Sequence, residues 1–300
     1  MNNADGIKSK LRDIAIRENK SLDYLLLLYL IERLLYRLSV SKYSVNFILK
    51  GGLLLHVILA NDARTTKDID FLAKSISNDL DKMKNIFSEI CNIMFDDAAR
   101  FDPASIKVEN INEGADYKGV RVKLTGYLDK SRYILQFDIS FGDVIVPKSD
   151  CMEYPSILNM ERPRINVYSL ESVIAEKFQA MIYLAEVNSR MKDFYDIYSL
   201  CRSYNFNGDV LCEAISQTFK HRSTSLIESP TIFSDEFAQN QDKQILWQAF
   251  QRRIRVASET TFFEVINMIK VFLEPVYRSM LEHKVFHEKW DFEKGSWKNN

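Results

Sequence analysis

The sequence predicts an α+β fold, with a mixed sheet and flanking helices over residues 1–150 followed by a mainly helical region over 151–300. Three observations predict it. Residues 105–111, 118–128 and 132–141 are β-rich segments in close succession. From Ser169 onward, apolar residues recur at helical spacing almost without a break. Between the two regimes stand Pro147, Pro155 and Pro163, which read as a connecting loop.

The elements follow in order. Residues 7–18 and 21–39 read as two helices, with Ser21 as the N-cap of the second. The most apolar run, 24–31, is too short to span a bilayer and runs into Glu32 and Arg33, so it reads as a buried helix. Residues 47–49 form a short apolar strand ended by Gly51-Gly52, and 53–59 a short helix. A strand at 68–73 and a helix at 79–94 come before the β-rich segments. Helices at 170–186 and from near Arg190 open the second region.

Composition narrows the class without naming a partner. Hydrophobic residues make up 46% and charged residues 27%, as in ordinary globular chains. Lys plus Arg number 40 against 41 Asp plus Glu, so any surface for nucleic acid has to be local. The four cysteines form no C-x-x-C pair and read as reduced, mostly buried thiols of a cytoplasmic protein. The N-terminus lacks a basic segment followed by an apolar core, so no signal peptide or membrane attachment is expected.

The chemistry concentrates in a few places. Asp68 and Asp70 flank Ile69, and on a strand they share a face. Two such carboxylates are poorly tolerated unless solvated or bridged by a cation, for which Mg²⁺ with oxygen ligands is the natural choice. In 132–141 the apolar set Leu135, Phe137, Ile139 and Phe141 faces a core, leaving Asp138 on the other face. If that strand neighbours the first, Asp138 joins Asp68 and Asp70, and three carboxylates around Mg²⁺ suit phosphoryl-type transfer. Asp143 competes for the third place. Lys50-Gly51-Gly52 follows a strand and opens a helix, so backbone N–H groups there can meet a phosphate, although a tight turn explains the glycines equally well.

Lys177 falls in the apolar stripe of the helix at 170–186, among Leu170, Val173, Ile174, Met181 and Leu184, with Ser172, Glu176 and Gln179 on the other side. A lysine there must snorkel, pair with acids or face a cleft. It becomes a candidate triphosphate ligand, and its removal is expected to leave the fold nearly unharmed. Arg190 heads the buried stripe of the next helix. Asp193 lies at the edge of that stripe, able to orient Lys177 or Arg190, and Asp196 follows one turn on.

Lys50-Gly51-Gly52, then Arg64-Thr65-Thr66-Lys67-Asp68-Ile69-Asp70-Phe71, resembles the AbiEii-type nucleotidyltransferases, toxins of type IV toxin–antitoxin and phage-abortive systems with a MenT-like group. Ala175-Glu176-Lys177-Phe178 and Arg190-Met191-Lys192-Asp193-Phe194-Tyr195-Asp196 are similar to the family's later helical motifs, and the resemblance covers roughly residues 45–200. It implies a DNA polymerase β-like core, a nucleoside triphosphate substrate and Mg²⁺. It also implies addition of nucleotides to an RNA acceptor, the tRNA 3′ end, and an antitoxin partner. By match, Asp68 and Asp70 hold the metal, Lys177 contacts the triphosphate and Asp193 is the late acidic residue. The wider superfamily carries Gly-Ser at the turn, so Gly51-Gly52 implies a phosphate contact through backbone alone. Nucleotidylation of a protein hydroxyl, or a nucleotide-binding regulator without catalysis, are the rival readings.

Two further features point to ordinary surface. His283 and His287 have zinc spacing for a helix but lack a third ligand and read as surface. Arg252, Arg253 and Arg255, with Lys220, His221 and Arg222, read as solvated helix faces rather than a phosphate-backbone site.

Overall fold

The structure is a computed structural model that describes residues 3–60, 63–112, 118–254 and 260–299. Arg255 of the basic cluster lies outside the described residues. The α+β class is as the sequence implies. Contacts divide the chain into two compact units that interleave in sequence. The first takes Met1–Val57, Thr66–Gly142 and Asp150–Val167, and the second Ile58–Thr65, Asp143–Ser149 and Tyr168–Asn300.

The first unit is a seven-stranded sheet with helices. Its strands are β1 (Phe47–Lys50), β2 (Ile69–Ala73), β3 (Ala99–Asn112), β4 (Lys118–Leu128), β5 (Ser131–Phe141), β6 (Asp150–Glu153) and β7 (Arg164–Val167). They lie in the order β3-β4-β5-β2-β1-β7-β6. The pairs β2·β5 and β1·β7 are parallel and the rest antiparallel. β6 and β7 lie in the stretch expected to be a connecting loop. They escape notice because each has only four residues, and the prolines flank them instead of interrupting them.

Helices α1 (Ala4–Arg17), α2 (Leu22–Val40), α3 (Gly51–Ile58) and α4 (Leu80–Cys91) complete the unit. Asp79 caps α4 by accepting from the Lys82 N–H at 2.7 Å. Ser21 stands at the N-cap of α2 as expected, but its side chain makes no capping bond. Leu25 to Leu35 of α2 are buried, Glu32 and Arg33 included. The Glu32 carboxylate is satisfied by the Ser156 hydroxyl at 2.8 Å and the Ile157 N–H at 2.7 Å, and Arg37 forks onto Asp97 at 2.7 and 2.9 Å. Phe47, Phe71, Phe87 and Phe137 form the aromatic centre of the core.

The second unit is mainly helical. It holds α5 (Leu170–Leu184), α6 (Met191–Cys201), α7 (Gly208–His221), α8 (Asp235–Gln239), α9 (Gln241–Ile254) and α10 (Phe262–Leu281). A capping box at Thr261 and Glu264 starts α10. Phe178, Phe219, Phe233 and Tyr277 pack together at its centre. The almost unbroken helical pattern is interrupted by a small sheet of β8 (Phe206–Asn207), β9 (Lys289–Asp291) and β10 (Ser296–Lys298). Strands of two and three residues are too short for a period to show. The buried Trp290 ties that sheet down, its indole N–H donating to the Cys201 carbonyl at 2.6 Å.

Among the described residues no helix is long and apolar enough to cross a membrane. All four cysteines are free: Cys91 and Cys201 are buried, Cys212 is half-buried and Cys151 is exposed. His283 and His287 lie beyond α10 rather than on a helix, and His287 pairs with Asp209 at 3.0 Å.

Candidate active site

The register of the first unit lines up five charged residues on one rung. Glu109 of β3 faces Arg121 of β4, which faces Asp138 of β5, then Asp70 of β2, then Lys50 of β1. Residues directly opposite on paired strands share a face of the sheet. All five therefore stand on one side, and Phe71, Phe137, Ile139, Val120 and Val122 bury the other. Asp68, two residues before Asp70, lies at the entry of the same strand. Asp138 thus meets the expectation that it neighbours Asp70 on an adjacent strand. Asp143 lies past the end of β5, in the second unit, where the Arg222 guanidinium holds it at 3.4 Å.

Arg121 is a site residue that no motif in the sequence marks. Its guanidinium forks onto both oxygens of Asp138, at 2.7 and 2.8 Å. The alternation of Val120, Val122 and Leu124 does put Arg121 on the outer face, but only the register shows which acid it meets. Asp138, Glu109 and Asp68 all pull on it, the first by direct hydrogen bonds, and hold its pKa above the ordinary guanidinium range.

Gly51 has a specific reason to be glycine. Its φ is +67°, where an L side chain is strained, and a Cβ would stand 2.0 Å from Oδ2 of Asp70. The bare Cα lets the Asp70 carboxylate lie against the turn. The structure starts α3 at Gly51, earlier than the expected residue 53. Gly51→Ala is expected to displace Asp70 and to cost about 1–2 kcal/mol from the backbone alone. Its melting temperature should fall by a few degrees, and any catalysis that uses Asp70 by roughly tenfold or more. Unchanged activity in a variant with a lowered melting temperature would detach the turn from the chemistry.

The donor set fits a hard divalent cation in kind, since Asp68, Asp70 and Asp138 offer only oxygens. It is not closed into a cage. Among the described residues no three side chains of metal-ligating type converge on one point. Both oxygens of Asp138 are instead engaged by Arg121.

A second charged chain lies within the second unit. Arg64 forks onto Asp196 at 3.0 and 3.2 Å, and Asp196 meets Lys177 at 2.7 Å. Lys177 also donates to Asp193 at 2.8 Å, and Arg190 donates to Asp193 at 2.6 Å. Three cations thus alternate with two carboxylates that are each only 1% exposed. Burial pushes the Lys177 ammonium down, but Asp193 and Asp196 outweigh it and leave its pKa above the usual lysine value. Burial would raise Asp193, yet Lys177 and Arg190 bring it to about 2. Its pairing therefore stabilises the fold fully above the ordinary Asp range, and is lost as pH falls through about 2.

Asp193 reaches Lys177 and Arg190 together, as the sequence suggested. Asp196 and Arg64 enlarge the group beyond that reading. Lys177 is also more structural than expected. α5 is buried nearly all round, and Ser172 and Gln179, expected outward, are 1% and 6% exposed. Ser172 hydrogen-bonds the Val146 backbone, and Gln179 donates to the Thr224 hydroxyl. Arg190 is half exposed instead of sealed in a stripe. Its turn is fixed from below: Lys243 donates to the Glu186 and Asn188 carbonyls at 2.6 Å each, and the Asn188 side chain accepts from the Arg190 N–H at 2.8 Å.

Comparison with known proteins places these features. The family described as "Nucleotidyl transferase AbiEii toxin, Type IV TA system" matches residues 33–275, a span that contains both charged clusters. Among solved structures, a candidate nucleotidyltransferase from H. pylori is similar over 89% of this chain and 100% of its own, at 15% identity and a TM-score of 0.49. JHP933 from Helicobacter pylori is similar over 88% and 95%, at 14% identity and a TM-score of 0.47. No curated protein matches. With most of its length matched by that one family, the chain belongs to the AbiEii nucleotidyltransferase toxins of type IV toxin–antitoxin systems.

Proposed function

We propose that this nucleotidyltransferase toxin moves a nucleotide from a nucleoside triphosphate to an RNA hydroxyl, at the 3′ end of tRNA, with Mg²⁺, and that its antitoxin holds the resulting growth inhibition in check. The observation that carries the reading is the rung Lys50–Asp70–Asp138–Arg121–Glu109, with Asp68 beside it. Asp68, Asp70 and Asp138 would hold the cation, which when bound offsets triphosphate charge and favours ionisation of the acceptor hydroxyl. Gly51 lets the Asp70 carboxylate take its position, and Gly52 keeps the start of α3 free of side chain, so that backbone N–H groups meet phosphate. Lys50 adds positive charge at the end of the rung. Lys177 and Arg190 would contact the triphosphate, and their chain carries one more cation than anion to do so.

RNA is favoured over a protein acceptor by the same face of the sheet. Outside the acidic rung, its outward positions on β3–β5 include Arg100, Tyr127 and Arg132 on one rung and Lys107, Lys123 and Gln136 on another. Arg100, Lys107 and Arg132 are exposed, and the Arg100 guanidinium lies 4.1 Å from the Tyr127 ring centroid. Cations beside an aromatic ring suit a phosphate backbone and an unstacked base. Transfer from a labelled nucleoside triphosphate should be tried on total RNA and on total protein, with and without Mg²⁺. Label in RNA that requires Mg²⁺ is expected. Label in protein alone would replace the acceptor, and nucleotide binding with no transfer would leave a regulator.

A further inference from the structure

The two central acids of the rung sit on directly paired positions, Asp70 against Asp138. Like charges there repel, so the strand pair needs a cation whether or not the site is loaded. Arg121 fills that need for Asp138, with a two-point fork that leaves neither oxygen free of it. Gln136 adds an amide N–H contact to each oxygen at 3.4 Å. The geometry is that of a strong charge-assisted pair, yet it is not sealed. The Arg121 side chain is 30% exposed and that of Asp138 is 14% exposed.

A second acid stands ready on the other side of Arg121. Glu109 occupies the next position of the same rung, is exposed, and is held at present by Lys123 at 2.9 Å. Arg121 therefore has one anion on each side of it along the rung. Lys123 is half-buried and stands opposite Lys107, so a second cation lies beside the one that holds Glu109.

We propose that Arg121 is the built-in counter-cation of the acidic rung: it holds Asp138 before the site is loaded, and gives that carboxylate up to a divalent cation by turning to Glu109. This rests on the cation reading under Proposed function and adds a regulation to it. The cation must compete with a guanidinium for its third carboxylate, so it binds weakly on its own. Arg121 is a positioning residue in this account, acting through Asp138.

The test reads binding of Mn²⁺ alone to the full chain by electron paramagnetic resonance, with no nucleotide and no turnover. Arg121→Ala is expected to bind Mn²⁺ roughly tenfold more tightly than the wild type, because a neighbouring positive charge is gone and Asp138 is free. Arg121→Lys, a cation without the fork, should fall between. The gain should vanish in Arg121→Ala combined with Asp138→Asn. Arg121→Gln keeps a hydrogen-bonding side chain without charge, and should show the same gain if Arg121→Ala folds poorly. Mn²⁺ affinity equal to or weaker than wild type in Arg121→Ala and Arg121→Gln, with binding still lost in Asp70→Asn, would overturn the proposal and leave the cation site standing. Mn²⁺ binding that is indifferent to Asp70→Asn would remove the cation site itself, and this inference with it.

Discussion

Asp70→Asn is expected to fold as the wild type does and to lose nucleotide transfer by roughly a thousandfold or more, the scale of losing a charged group that acts on the reacting phosphate. The substitution keeps the side chain's shape, so the close approach to Gly51 is preserved. It removes one of two like charges on paired strand positions, so stability should stay within about 1 kcal/mol of wild type or rise. What it takes away is the negative charge of the rung that lies between Lys50 and Asp138. Initial rates of labelled-nucleotide transfer against Mg²⁺ concentration, beside a thermal melt, give both numbers. Full activity in a well-folded Asp70→Asn protein would remove the rung from the chemistry. Activity restored by high Mg²⁺ would show that the carboxylate acts through cation affinity alone.

The two acids of β2 were legible because strand alternation is local: Ile69 and Phe71 point into the core, so Asp68 and Asp70 do not. The face of Asp138 follows from Leu135, Phe137 and Ile139 in the same way. What alternation cannot supply is register between distant strands. β2 lies beside β5 although β3 and β4 intervene in the chain, and beside β1 across α3. Only that order makes Lys50, Asp70, Asp138, Arg121 and Glu109 one row. Arg121 was invisible for this reason, since a basic residue on an outward strand position is ordinary until its neighbour is known.

In the helical unit, a lysine among apolar residues is a local anomaly, and it led to Lys177 and Asp193. Arg64 belongs to a local motif, but its partner lies more than a hundred residues away on α6. Lys243 offered no anomaly at all, because its partners are backbone carbonyls, which carry no sequence signal. The polar residues Ser172 and Gln179 misled for the converse reason. Helical periodicity puts them on a solvent face, whereas α5 is buried on that side too and both are satisfied by hydrogen bonds there.

Lys177→Ala is expected to weaken triphosphate affinity by about tenfold or more and also to destabilise the fold, by about 3 kcal/mol. The structural cost comes from what the ammonium leaves behind. Asp193 and Asp196 are each 1% exposed, and Lys177 is the cation they share, at 2.8 and 2.7 Å. Removing one partner of a buried ion pair typically costs about 3–5 kcal/mol, because the other charge stays buried. The lower end applies here, since Asp196 keeps Arg64 and Asp193 keeps Arg190. A melting temperature lower by roughly 5–10 °C would register it. Because instability alone could mimic lost binding, the decisive comparison adds Arg190→Ala. That side chain is 50% exposed and takes one cation from the same chain, leaving Lys177 on both acids. Arg190→Ala should melt within about 1 kcal/mol of wild type and still lose several-fold in triphosphate affinity by calorimetry. If both variants bind the triphosphate as tightly as wild type, the alternating chain from Arg64 to Arg190 is a clamp between α5 and α6 and has no part in holding nucleotide.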